Sequence, residues 1–223
     1  MTTINFDTKT CALCGHESTF AVLGSTNAFG SPDLDLRPPE MQRSTMEYWV
    51  EACESCGYRS HDISELIDDA PDIVRSEPYQ RQLEDSSCPP LANSFLCYAL
   101  IQENAGEFSS AGQSAIHAAW ACDDAEMTDA ARSCRERAVS LLRRARAHEQ
   151  IEEDPPGAAE ALMVDLMRRS ERFDEAREIC RDGLQKTMEP VIADVLRFQQ
   201  SLIDKHDTGA YSIEDAVQSG KDS

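Results

Sequence analysis

Lysine is nearly missing from this chain. Four lysines and seventeen arginines face forty-one carboxylates, and the formal net charge is −20. That balance excludes the diffuse cationic footprint by which proteins hold nucleic acid or an anionic membrane. Long apolar runs are lacking too, and none approaches the ~18 residues of a membrane span. The opening residues Met1-Thr2-Thr3-Ile4-Asn5-Phe6-Asp7 have neither the basic region nor the apolar segment of a signal peptide, so a cytoplasmic location is expected. There is no GxSxG, Walker loop, GxGxxG or HExxH. A local catalytic motif is therefore missing, and an enzyme is the less favoured reading. Hydrophobic residues at 41% still support a real core.

Against these absences stand nine cysteines. Four form two CxxCG knuckles, Cys11-Ala12-Leu13-Cys14-Gly15 and Cys53-Glu54-Ser55-Cys56-Gly57. Thirty-eight residues separate Cys14 from Cys53. In a knuckle the second cysteine is followed by glycine because the tight turn wants a positive φ. The turn aims backbone N–H groups at the sulfurs, and four thiolates make a closed tetrahedral site. Cys11, Cys14, Cys53 and Cys56 are therefore the expected metal ligands. Structural zinc is the preferred ion. Iron held as in rubredoxin, weakly suggested by Gly57-Tyr58, is the lesser alternative. His16 and His61 flank the knuckles but are not needed to complete the site. The other cysteines (Cys88, Cys97, Cys122, Cys134, Cys180) show no ligand spacing. They read as free thiols, with Cys88 before Pro89 the one expected at the surface.

The fold class is mainly α with a small β zinc ribbon. Residues 1–62 form the ribbon, with strands expected at Thr19–Leu23 and Met46–Val50. Asp33-Leu34-Asp35-Leu36-Arg37 alternates with period two and reads as an edge strand or extended loop. Residues 63–90 hold short helices and a linker. Asp62 is placed to cap a helix carrying Ile63, Leu66 and Ile67, which Asp69-Ala70-Pro71 breaks. A turn at Tyr79–Leu83 follows, and Cys88-Pro89-Pro90 marks the clearest boundary. Residues 91–206 look all-helical. Segments 92–125 and 157–190 place an aromatic at one offset (Phe108, Phe173) and alanine three later (Ala111, Ala176). This pattern resembles the tetratricopeptide repeat, in which the aromatic fills the wedge between paired helices. Residues 126–149 read as one long helix and Val191–Ile203 as a closing one. Residues 207–223 are expected to be a flexible acidic tail, apart from a turn at Ile213–Val217.

Two further clusters carry charge that could bind something. Asp33, Asp35 and Arg37 would share one face of an extended segment, as a cation or polar-ligand site or as a local ion pair on a solvated edge. Arg132, Arg135, Arg137, Arg143, Arg144 and Arg146 make the one basic stripe. It could take a phosphate or an acidic partner, but acid-rich neighbouring helices are its preferred partners.

The whole resembles a bacterial family of uncharacterised proteins that join an N-terminal zinc ribbon to tetratricopeptide-like helices. The resemblance rests on Cys11–Gly15, on Asp33–Pro38, on Tyr48–Tyr58 and on Ala118-Ala119-Trp120. It implies the architecture and adds no substrate. The expected function is a zinc-stapled interaction or scaffold module. It would hold a partner peptide or helix, basic in character, in the helical groove. The alternative is a metal-dependent enzyme or small-ligand sensor in the ribbon–helix cleft. Nucleic-acid binding through the ribbon is disfavoured, since residues 1–62 hold four cationic against nine acidic side chains.

Overall fold

The computed structural model describes residues 2–151 and 155–221. The chain is mainly helical, with a few short strands in the N-terminal region. Strand β1 (Thr3–Thr10) pairs antiparallel with β2 (Glu17–Ser25), from Thr3↔Ser25 to Thr10↔Glu17. The first knuckle is the turn of that hairpin. Strand β2 contains the expected strand Thr19–Leu23. The two-residue strands β3 (Glu51–Ala52) and β4 (Arg59–Ser60) close the second knuckle in the same way.

Between the hairpins the chain departs from its period-two pattern. Helix α1 (Glu40–Arg43) is followed by a 3-10 turn over Met46–Tyr48, where a strand was expected. Met46 and Val50 are both buried, and their spacing of four fits one helical turn. Thr45 locks the turn: its hydroxyl donates to the Gln42 carbonyl (2.7 Å) and accepts from Trp49 Nε1 (3.1 Å). Residues 33–37 form a tight turn with one β-bridge, Asp33↔Ser212, and Leu36 at φ 66°.

The helix expected after Asp62 does not form. Asp62 instead accepts from the Ser64 N–H and hydroxyl, and the next backbone groups are spent on the ribbon. Ile63 N–H donates to Glu51 (3.0 Å), the Ile63 carbonyl accepts from Ala12 (2.8 Å), and Ile67 N–H donates to the Tyr58 hydroxyl (3.2 Å). Helix α2 (Ala70–Arg75) starts where a break was expected, because Pro71 lies in its first turn, where no N–H is required. Helix α3 (Glu77–Leu83) covers the turn expected at Tyr79–Leu83.

From Pro90 the helices run α4 (Pro90–Asn104), α5 (Phe108–Asp124), α6 (Thr128–Ala147), α7 (Ala158–Arg169), α8 (Phe173–Leu184) and α9 (Pro190–Asp204). Each packs on its chain neighbour. Helix α5 buries Ala111, Ala115, Ala118, Ala119 and Ala121, so its neighbours approach closely. At Gly112 an added Cβ would lie 2.9 Å from Leu142 of α6. The polar C-terminus is not loose: α10 (Ile213–Lys221) packs on α9. Leu34 N–H donates to the Tyr211 carbonyl (2.8 Å) and Ile213 N–H to the Pro32 carbonyl (2.9 Å), which ties this end to the 33–37 turn. Among the described residues no helix is long and apolar enough to cross a membrane.

The connections α4–α5, α5–α6 and α7–α8 are built alike. Three residues follow each helix, and one takes a left-handed conformation: Gly106 (φ 82°), Glu126 (φ 57°) and Glu171 (φ 61°). The next N–H reaches back to the last turn over 2.9 Å (Glu107 to Gln102, Met127 to Cys122, Arg172 to Met167). This pair of features is the Schellman cap. The ends of α6 and α9 repeat it at Glu149 and His206. Phe108 and Phe173, read as the wedge aromatics, pack against His148 (tilted) and His206 (edge-on) with centroids 4.8 and 4.7 Å apart.

Because the left-handed region penalises a Cβ, Gly106→Ala is expected to cost about 1 kcal/mol. Glu126→Gly, at the same position of an identical turn, is expected to gain about 0.5–1 kcal/mol. Urea unfolding checks both through midpoints that move in opposite directions at unchanged m.

Candidate functional site

The two knuckles are superposable in their bonding. Cys11 N–H donates to His16 (2.9 Å) and Gly15 N–H to Cys11 (2.8 Å); Cys53 N–H donates to Tyr58 (2.9 Å) and Gly57 N–H to Cys53 (3.0 Å). Gly15 and Gly57 sit at φ 76° and 80°. Gly57 also has no room for a side chain, since a Cβ would lie 2.6 Å from Leu83. The fully buried Tyr58 and Tyr79 fix the second knuckle from beneath, with Tyr79 Oη donating to the Gly57 carbonyl (2.8 Å).

These turns bring the four sulfurs together. One ligand atom from each of Cys11, Cys14, Cys53 and Cys56 lies within 4.8 Å of the others. Cys11 and Cys56 sulfurs are 3.8 Å apart, and those of Cys14 and Cys53 are 3.6 Å apart. A tetrahedral four-thiolate site with metal–sulfur bonds of about 2.3 Å has edges of about 3.8 Å. The cluster therefore fits a metal ion, and no disulfide links these residues. The exposed Cys14 thiol is lowered to about 7, chiefly by the His16 backbone N–H, while burial pushes Cys11 and Cys56 up. His16 and His61 are outside the group; His61 lies beside Tyr98 Oη (3.2 Å) and Glu65.

Asp33, Asp35 and Arg37 do not form a solvated edge. Asp35 and Arg37 are buried, and their partners lie on the helices. Arg169 of α7 donates to Asp35 (2.9 Å) and to Asp123 (2.8 Å). Arg135 also bonds Asp123, while Arg37 bonds Asp124 and lies 3.7 Å from Asp123. Burial pushes the Asp35 carboxyl up, and Arg169 pulls against it. The half-buried Asp33 has a pKa of about 6, raised first by burial and then by Asp35. Asp123, Asp124 and Arg169 were not singled out from the sequence. One signal was available: two carboxylates in the last turn of α5 oppose the helix dipole and call for cations.

The arginine stripe is paired within the chain. Arg132 meets Glu171 (2.5 Å), Arg143 meets Glu175 (2.8 Å) and Arg146 meets Glu160 (2.8 Å), while Arg137 and Arg144 meet Glu103. Cys88, expected at the surface, is buried, as are Cys97, Cys122, Cys134 and Cys180.

Beside the 33–37 turn lies a pocket of about 310 Å³ between the ribbon insert and α5, walled by Trp49, His117, Trp120, Leu36 and Pro39. His117 packs its ring against Trp49, Phe95 and Trp120 at centroid distances of 5.1, 5.2 and 4.9 Å. Burial lowers its pKa to about 4, so it is neutral at pH 7.

Arg169→Met leaves the buried Asp35 without its ion-pair partner and is expected to cost about 3–5 kcal/mol in urea unfolding. The His117 effect has the opposite driver. Its unfolded pKa is about 6.5, so as pH falls from there to about 4 the unfolded chain takes the proton first, and stability present above 6.5 is lost. A His117→Phe chain should lose on the order of 2–3 kcal/mol less across that window. Comparing the two chains at equal metal cancels the thiol contribution. No family model, curated protein or solved structure matches this chain.

Proposed function

We propose that this chain is a zinc-stapled interaction module. Its helices α4–α9 would stack as tetratricopeptide-like hairpins and hold a peptide or helix of a protein partner. The observation that carries this reading is the repetition of one helical hairpin turn at α4–α5, α5–α6 and α7–α8. Recurrent antiparallel hairpins make an extended surface suited to a peptide or helix. The net charge of −20 favours a basic partner. It also fits the family resemblance of ribbon plus tetratricopeptide-like helices.

Zinc is the ion we assign to Cys11, Cys14, Cys53 and Cys56. It favours four thiolates at tetrahedral spacing, and such a closed site leaves no coordination position for substrate. When bound, it would cross-link two hairpins whose own core is thin. The competing reading, an enzyme or ligand sensor in the ribbon–helix cleft, loses Asp35 and Arg37 to ion pairs with Arg169 and Asp124. The adjoining aromatic pocket is what still favours it.

Purified protein is expected to carry one zinc per chain by elemental analysis, with four sulfur neighbours near 2.3 Å by X-ray absorption. Cys14→Ser should weaken zinc binding at least about 100-fold. For the partner, cross-linking mass spectrometry on a complex captured with zinc-loaded chain should place the contacts on α4–α9. Contacts confined to β1–β4, or stabilisation by a small molecule with no protein captured, would sink the module reading.

A further inference from the structure

Both tryptophans of the chain wall one pocket, the cavity of about 310 Å³ between the ribbon insert and α5. None of the ten residues lining it is Asp, Glu, Lys or Arg, in a chain where 28% of residues are charged. Three of the ten are proline, whose fixed φ stiffens the wall and whose nitrogen offers no donor. The hydrogen-bonding atoms that remain are few. Trp49 Nε1 is spent on the Thr45 hydroxyl (3.1 Å), and the Trp120 N–H acts on the Asp35 carboxylate. His117 Nε2 meets the Gln113 amide (3.0 Å). Two side-chain groups of the lining are left without a hydrogen bond among the described residues, His117 Nδ1 and the Gln42 amide. Both are uncharged at pH 7, since burial lowers the His117 pKa to about 4 and an amide does not titrate.

We propose that this pocket binds a neutral, planar aromatic small molecule of one or two rings bearing an amide-like polar group, packed against Trp49, His117 and Trp120 and hydrogen-bonded to His117 or Gln42. Size sets the number of rings. A cavity of about 150 Å³ suffices for benzene, and this one holds about 310 Å³. The wall sets the shape. His117 packs on Trp49 and Trp120 at centroid distances of 5.1 and 4.9 Å, so three rings brace one another and favour a flat aromatic guest. The polar groups set the charge. An ion entering here would leave water and meet no opposite charge in the lining, whereas a neutral polar group regains its hydrogen bond.

The net charge of −20 sharpens the distinction. It repels an anion and draws in a cation, so rejection of a cation has to come from the uncharged lining itself. The proposal does not rest on the interaction-module reading. A peptide on α4–α9 and a small molecule at this junction are separate findings, and either can fail alone.

Benzamide, benzamidine and benzoate share one ring and one shape and are neutral, cationic and anionic at about pH 7.5. Each is titrated into the zinc-loaded full chain in about 0.5 M NaCl, which screens the long-range field. Because both tryptophans wall the pocket, tryptophan emission reads its occupancy. Benzamide is expected to shift the emission saturably, with a dissociation constant of about 0.1–10 mM for so small a ligand. Benzamidine and benzoate should bind at least about tenfold more weakly. Gln42→Glu adds a carboxylate to the lining and should reverse the order, so that benzamidine leads. His117→Phe keeps a ring but removes the nitrogen, and should narrow the preference for benzamide over toluene at least about threefold. Melting temperature confirms that each variant folds. Absence of a saturable shift with benzamide would overturn the proposal, as would charged relatives bound as tightly as benzamide. A benzamide preference unmoved by either variant would overturn it too.

Discussion

Asp123 is where this molecule is held together. It sits in the last turn of α5 and is met by Arg135 from α6, Arg169 from α7 and Arg37 from the ribbon insert. Arg169 spans onward to Asp35. Buried charges are tolerable only when paired and hydrogen-bonded, and removing one partner costs far more than the pair contributes. The insert, α5, α6 and α7 therefore have few alternative placements. Arg168, the next residue along α7, is fully buried and donates to the carbonyls of Asp207 (2.7 Å) and Gly209 (2.9 Å). It thereby fixes the return of the C-terminal segment onto the 33–37 turn.

The two hairpins of the ribbon depend on the same frame. Cys11, Cys53 and Tyr58 share a buried cluster with Ile73, Val74 and Tyr79 of α2 and α3 and with Cys97 and Ile101 of α4. The metal-fitting cysteines thus sit over a core that helices supply. Lys9, bonded to Glu51 (2.6 Å) and Asp62 (3.1 Å), ties the first hairpin to the second. A four-thiolate site here would join two hairpins and, through them, the ribbon to α4. That would be a structural role.

Much was legible in the residues wherever the governing interaction is local. The knuckles announce themselves because ligand spacing and glycine conformation are properties of five consecutive residues. The long helices from Pro90 onward follow from periodicity, and their turns from an aromatic and an alanine at fixed offset. Even the pairing of the arginine stripe follows from charge balance along neighbouring helices. The segments misread take partners that periodicity does not encode, some of them far away in sequence. Residues 33–37 alternate like a strand, yet Asp35 and Arg37 face Arg169 and Asp124. Ile63 and Ile67 have helical spacing, yet their backbone groups serve Glu51, Ala12 and Tyr58.

The sequence by itself determined the two cysteine knuckles, the long helices and the acidic balance, because each is written in composition or in residues a few positions apart. Only the tertiary structure decided that Asp35 and Arg37 are buried ion-pair partners, that the C-terminus returns as α10, and that Trp49, His117 and Trp120 wall one pocket. Those outcomes hang on pairings across roughly 70 to 180 residues, where closing the chain carries an entropic cost that no local pattern encodes.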